Sequence, residues 1–192
     1  MLTYDDQGRA FWNGERIPRV TEICSLLAPR YFTDEYFLNR GRIIHQITEW
    51  EDTGELDEST VDLNLSGYLE AYRAFKQATG WKTLLSEIKF FHEKYRYCGR
   101  ADRIGFFHNP KWKWTLDIKS GQSHEADELQ APAYLFGLRS SGSLTQKCGD
   151  LYLRPNGTYR FSEVKNPTEK FLKFLTGLKE WKRLNHEQND KN

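Results

Sequence analysis

Two aspartates set among strand-forming residues constrain this chain more than any other feature of its sequence. Asp102 closes the stretch Gly99-Arg100-Ala101-Asp102, and Asp117-Ile118-Lys119 begins fifteen residues later. Between them lie an aromatic run, Ile104 to Phe107, and the alternating Lys111-Trp112-Lys113-Trp114-Thr115-Leu116. β-Branched and aromatic residues without a helical period read as strands. His108-Asn109-Pro110 interrupts them, so the segment is expected to fold as a hairpin that sets Asp102 beside Asp117. Side chains alternate along a strand, which puts Asp117 and Lys119 on one face and Ile118 toward the core. Aspartate is a poor strand residue, so two of them here ask for a reason. Two carboxylates and an ammonium make a site for a hard divalent cation and an activated water.

The flanking sequence supplies layers for such a sheet. Residues 2–18 are expected to form a small hairpin with turns at Asp6-Gln7-Gly8 and Asn13-Gly14. Thr21 is expected to cap a short helix ending near Leu27, which completes an N-terminal segment of residues 1–30. A helix from about Thr33 to Glu51 carries Phe37, Ile44 and Ile47 on a common side and stops at Asp52-Thr53-Gly54. Helical spacing also fits 61–79, with Gly80 closing it. Strands are expected over 81–91, 95–107 and 111–119, then a helix over 126–139 and strands over 147–153 and 159–164. A last amphipathic helix carries Phe171, Phe174, Leu175, Leu178 and Trp181, and residues 185–192 read as a frayed tail. This order implies an α/β sandwich with a mixed sheet, folded as one domain over 1–192.

Composition sets broad limits. At 38% hydrophobic and 15% aromatic residues, the chain is too apolar to be disordered. No run of eighteen apolar residues occurs and Met1 to Arg9 has no apolar signal core, so a soluble, cytoplasmic protein without a membrane partner is expected. Cys24, Cys98 and Cys148 are scattered singly, which argues against disulfides and a zinc site. Three thiols also cannot build a four-thiolate iron–sulfur cluster. The net charge of +1 decides nothing, but its distribution is uneven. Seven acids and no base lie between Glu49 and Asp62. Lysines and Arg183 gather after Lys165, either as a path for a polyanion or as ordinary solvated helix faces.

Three further groups accompany the hairpin. Gln130 and Tyr134 stack one turn apart on the helix that follows Lys119. Gly41 and His45 have the same spacing on the long early helix. A glycine inside a helix costs about 1 kcal/mol relative to alanine, so it often marks the close approach of another chain. His45, one turn later, is a candidate metal ligand or phosphate contact, although a lone histidine on a helix is more often structural or exposed. Glu87, on the strand before the hairpin, is a further candidate ligand.

In this order the motifs Gly41 to His45, Glu87, Gly99 to Asp102, Asp117-Ile118-Lys119 and Gln130 to Tyr134 resemble the PD-(D/E)XK nuclease superfamily. The branch they resemble is the RecB-like exonucleases, in a phage and prophage form that shares Asn13-Gly14 and Ile17 to Ile23. The resemblance covers about residues 10 to 165. It implies a restriction-endonuclease-like three-layer core, a central mixed β-sheet flanked by helices. It also implies Mg²⁺ or Mn²⁺ held by Asp102 and Asp117 with the Ile118 carbonyl, and with His45 and Glu87 as further ligands. Lys119 would orient or deprotonate the attacking water, His45 would support a second metal or the scissile phosphate, and Gln130 and Tyr134 would hold Lys119 and contact DNA.

The implied activity is exonucleolytic cleavage of DNA that is single-stranded or has a free end, in recombination, repair or processing within a bacterial or phage-infected cell. Structure-specific or restriction-type endonuclease and non-catalytic DNA-binding protein are the alternatives. No phosphate-binding Gly-x-x-x-x-Gly-Lys-Ser/Thr loop is present, so a helicase or a single-strand annealing protein is an implied partner. Polarity, strand preference, metal count and oligomeric state stay open.

Overall fold

The computed structural model describes residues 1–29, 35–108 and 110–189, with side chains to 185. The expected helix start at Thr33, Asn109 of the expected turn and the last three residues of the expected tail lie outside the described residues.

The two N-terminal turns join three strands rather than two. β1 (Leu2–Tyr4), β2 (Ala10–Trp12) and β3 (Glu15–Ile17) form a small antiparallel sheet. It docks on the main sheet through Trp12, stacked 4.0 Å from Phe91, and through the Cys98 amide, which donates to Pro18 O at 3.0 Å. α1 (Val20–Leu27) follows, with Arg19 rather than Thr21 at its cap. The Glu22 carboxylate accepts the Arg19 amide at 2.8 Å, which satisfies the entry that Thr21 was expected to serve.

α2 (Glu35–Thr53) ends where Gly54 turns left-handed at φ +75°. Ile44 and Ile47 are buried as expected, but Phe37 is 49% exposed. Its ring instead lies 4.8 Å from the Arg40 guanidinium. After a single 3₁₀ turn at Glu58–Thr60, α3 (Leu63–Thr79) is capped by Asp62 and closed by Gly80 at φ +63°.

The main sheet contains β4 (Lys82–His92), β5 (Tyr97–Phe106), β6 (Trp114–Lys119), β7 (Lys147–Leu153) and β8 (Tyr159–Glu163), hydrogen-bonded in that order. Neighbours are antiparallel except β6 and β7, which run parallel across α4 (Asp127–Ser140). A tight hairpin cannot join parallel strands, so the helix supplies the crossover. α5 (Pro167–Asn189) closes the chain. Its bounds take in 185–189 of the stretch expected as a tail.

The apolar residues divide between the two faces of this sheet. On one face Ile23, Leu129, Leu138 and Phe174 of α1, α4 and α5 pack on Phe90, Tyr97 and Ile104. On the other, Ile44, Ile47, Tyr72 and Phe75 of α2 and α3 pack on Trp114, Leu116, Ile118 and Leu151. Helices therefore cover a five-stranded mixed sheet on both sides, the three-layer α/β architecture expected from the sequence. No helix among the described residues is long and apolar enough to cross a membrane.

Gly99 shows how tightly one seam closes. A Cβ there would meet Phe90 Cζ at 2.7 Å and Tyr134 Cε1 at 2.9 Å, two rings buried in the first core. Gly99→Ala is expected to cost about 1–3 kcal/mol by overpacking. A urea unfolding midpoint lower than that of the wild type is the readout.

Candidate functional site

The β5–β6 ladder runs from Gly105↔Trp114 to Arg103↔Leu116 and ends there. One residue further, Asp102 Oδ2 accepts the Ile118 amide at 2.6 Å, so a carboxylate replaces a strand as the partner of β6. This sets Asp102 in hydrogen-bonding contact with Asp117, as the expected hairpin requires. Ile118 is buried in the α2–α3 core, while Asp117 and Lys119 face α4. Lys119 Nζ lies 2.7 Å from Asp117 Oδ2 and donates to Gln130 Oε1 at 2.9 Å. Gln130 in turn donates to the Tyr134 hydroxyl at 2.8 Å. The i, i+4 pair on α4 thus continues the line of contacts that begins at Asp117.

From the other side of the sheet, α2 brings in His45. Its Nδ1 is 3.3 Å from Asp102 Oδ1 and 3.8 Å from Glu87 Oε1, and its Nε2 is 3.0 Å from Ile118 O. Glu87 occupies β4 with φ +53°, a left-handed conformation uncommon for a residue other than glycine. Such a backbone persists only when its surroundings hold it, and here Arg100 Nε lies 2.8 Å from the Glu87 carboxylate. Ligand atoms of His45, Glu87 and Asp102 all fall within 4.8 Å of one another. Two carboxylates and an imidazole, with the Ile118 carbonyl beside them, form a donor set that could hold a metal ion.

Charge is concentrated to match. Burial disfavours an ionised Asp102, but the His45 charge outweighs it and holds this carboxyl below the ordinary carboxylate range. Its neighbour Asp117 is driven the opposite way, by burial first and then by Asp102 and Asp150, against the pull of Lys119. Two carboxyls in contact raise one another's affinity for a proton, so Asp102 and Asp117 titrate as a pair. Burial lowers the affinity of His45 for its proton, yet Asp102, then Glu87 and Asp117, push it up to about 10. The imidazolium is thus the counter-charge of these carboxylates, and a bound cation would release that proton. Burial also opposes charge on Lys119, but Asp117, Asp127 and Asp150 together hold it above the ordinary lysine range.

These groups open into a cleft of about 1200 Å³ whose walls include Arg19, Arg40, Arg42, Lys89 and Arg100. Gly41 also lines it, but the close approach expected there is absent among the described residues. A Cβ at Gly41 would meet only Ser120 Oγ, at an ordinary 3.7 Å. The C-terminal lysines lie elsewhere and are partly spent on acids: Lys170 pairs with Glu128, and Lys173 with Glu125 at 2.6 Å.

No family model and no curated protein matches the chain. Among solved structures, SSO0001 is similar to it at 16% identity, over 84% of this chain and 74% of its own, with a TM-score of 0.41. LHK-Exo in complex with dAMP is similar at 13% identity, over 92% and 95%, with a TM-score of 0.36.

The site's geometry includes residues the sequence reading passed over. Asp150 of β7 stands in register with Asp117 on β6 and is buried, completing a row of carboxylates across three strands. Asp127, at the start of α4, lies 3.6 Å from Lys119 Nζ and accepts the Tyr152 hydroxyl at 3.1 Å. Asp150 was open to the argument applied to Asp102 and Asp117, an aspartate inside a strand pattern. Asp127, on a helix, offered no such signal.

Proposed function

We propose that this chain is a metal-dependent deoxyribonuclease of the PD-(D/E)XK type, in the RecB-like exonuclease branch, acting as a single domain in the cytoplasm. The observation that carries the reading is the meeting of Asp102, Asp117 and Lys119 with His45 and Glu87 in one cation-walled cleft. Asp102, Glu87, His45 and Asp117, with the Ile118 carbonyl, would hold Mg²⁺ or Mn²⁺. When bound, such an ion offsets negative charge on the phosphate and lowers the pKa of a coordinated water.

The chain's own residues do the rest. Lys119 enters the reaction as an ammonium, because three carboxylates hold its proton, and it stabilises charge building on a non-bridging phosphate oxygen. Gln130, fixed by Tyr134, aims that ammonium and prevents it from collapsing wholly onto Asp117. Arg19, Arg40, Arg42, Lys89 and Arg100 draw the polyanionic strand into the cleft. With no helicase motif in the chain, the substrate is DNA that already has a single strand or a free end, supplied with the help of a partner such as an annealing protein.

The test uses linear end-labelled DNA and closed circular single-stranded DNA, each with Mn²⁺ or with a chelator. Mn²⁺-dependent loss of the linear substrate with circles left intact is expected. Cleavage of the circles moves the assignment to the endonuclease alternative, and intact DNA in every lane refutes the nuclease reading.

A further inference from the structure

Among the described residues Arg103 is the largest side chain wholly removed from solvent, and the function proposed above leaves it unused. Its guanidinium lies beneath the metal-ligand candidates, on the α2 side of the sheet. Nε donates to Asp52 Oδ2 at 2.9 Å. One terminal nitrogen donates to the Asp102 backbone carbonyl at 2.7 Å and lies 3.5 Å from Glu87 Oε1. The other donates to Thr48 Oγ1 at 3.0 Å and reaches the His45 carbonyl at 3.4 Å. A single planar fork therefore touches each of His45, Glu87 and Asp102.

We infer that Arg103 is a positioning residue, which fixes the three ligand-bearing residues relative to one another from behind. This rests on the reading that His45, Glu87 and Asp102 hold a divalent cation. The three arrive on separate elements, α2, β4 and β5, and no ladder hydrogen bond joins α2 to either strand. A buried guanidinium is costly to desolvate, and apolar residues of similar volume often do as well for stability alone. Its placement is therefore better explained by where its donors point. The fork is itself anchored: Asp52 also accepts from Tyr72 Oη at 2.6 Å, Thr83 Oγ1 at 2.9 Å and Lys76 Nζ at 2.7 Å. Those partners belong to α3 and β4, so both helices of this layer brace the fork. Lysine retains the charge but has one nitrogen on a flexible stem and cannot reach the same set of acceptors.

The test is calorimetric titration of the metal-free protein with Mn²⁺, below the melting temperature of every variant, with thermal melting recorded alongside. Arg103→Lys is expected to weaken Mn²⁺ binding by about tenfold or more, as loss of support behind metal ligands does. A purely structural role predicts a lower melting temperature with the Mn²⁺ affinity of the folded protein unchanged, and that result overturns the proposal. Should Arg103→Lys fail to fold, Thr48→Val removes one hydroxyl acceptor while preserving shape. About threefold weaker binding is then expected, and unchanged binding overturns the proposal. A wild type that binds no Mn²⁺ overturns the metal reading together with it, whereas a binding wild type with equally tight variants overturns the positioning role alone.

Discussion

Lys119→Ala is expected to slow phosphodiester cleavage by about 10²–10³-fold, the cost of removing one preorganised donor from developing transition-state charge. The ammonium is held between Asp117 and Gln130 on a side chain only 13% exposed, and no neighbouring cation is placed to replace it among the described residues. Its loss also leaves Asp117, Asp127 and Asp150 without their shared cation, which favours their protonated forms. Mn²⁺ binding should survive within a few-fold, because the close donor set of His45, Glu87 and Asp102 does not include Lys119. Single-turnover nucleotide release at saturating DNA and Mn²⁺ measures the effect. Equal rates for the two proteins would remove Lys119 from the chemistry.

Asp150→Asn is expected to stabilise the metal-free protein at alkaline pH. Burial raises this carboxyl from 3.8 to about 7, with Lys119 opposing and Asp127 reinforcing the rise. Between those two values the folded state holds a proton that the unfolded state has released. Stability therefore falls as pH climbs through the window and is lowest above pH 7. Each pH unit of the window is worth about 1.4 kcal/mol, so the penalty at pH 8 is on the order of 4 kcal/mol at most. Asparagine never ionises, which removes the penalty. For a chain of this size the melting temperature at pH 8 should rise by roughly 5–10 °C. At pH 4 little gain is expected, since the unfolded carboxyl is then only about half ionised and the penalty is below about 1 kcal/mol. Scanning calorimetry in chelator at the two pH values makes the comparison, and an equal change at both would mean that ionisation of Asp150 is not the cause.

Which parts of this site were legible in the sequence follows from the range of the interactions. The hairpin aspartates and Lys119 stand out because strand periodicity is local and an aspartate violates it. Gln130 and Tyr134 are visible for the same reason, one helical turn apart. The layer order follows from apolar spacing, and the sheet with helices on both faces agrees with it. Arg103 carried no such signal. Its partners Thr48 and Asp52 are 55 and 51 residues away, and a charged residue in a strand reads as solvent-facing. Asp52 looked like part of a helix stop, and its role as acceptor for α3 and β4 exists only after folding. Phe37 failed in the opposite sense: its apolar spacing is right, but Arg40 stacks on it at the cleft and its ring is half exposed. The left-handed Glu87 was equally invisible, since nothing in Ser86-Glu87-Ile88 favours a positive φ.

Release of nucleotides from linear single-stranded DNA, titrated with Mn²⁺, tests the central claim most directly. The wild type should give a saturable curve that starts at zero in chelator, and Asp102→Asn should stay at the chelator baseline throughout. Wild type and Asp102→Asn indistinguishable across the whole titration would contradict a metal-dependent nuclease centred on Asp102.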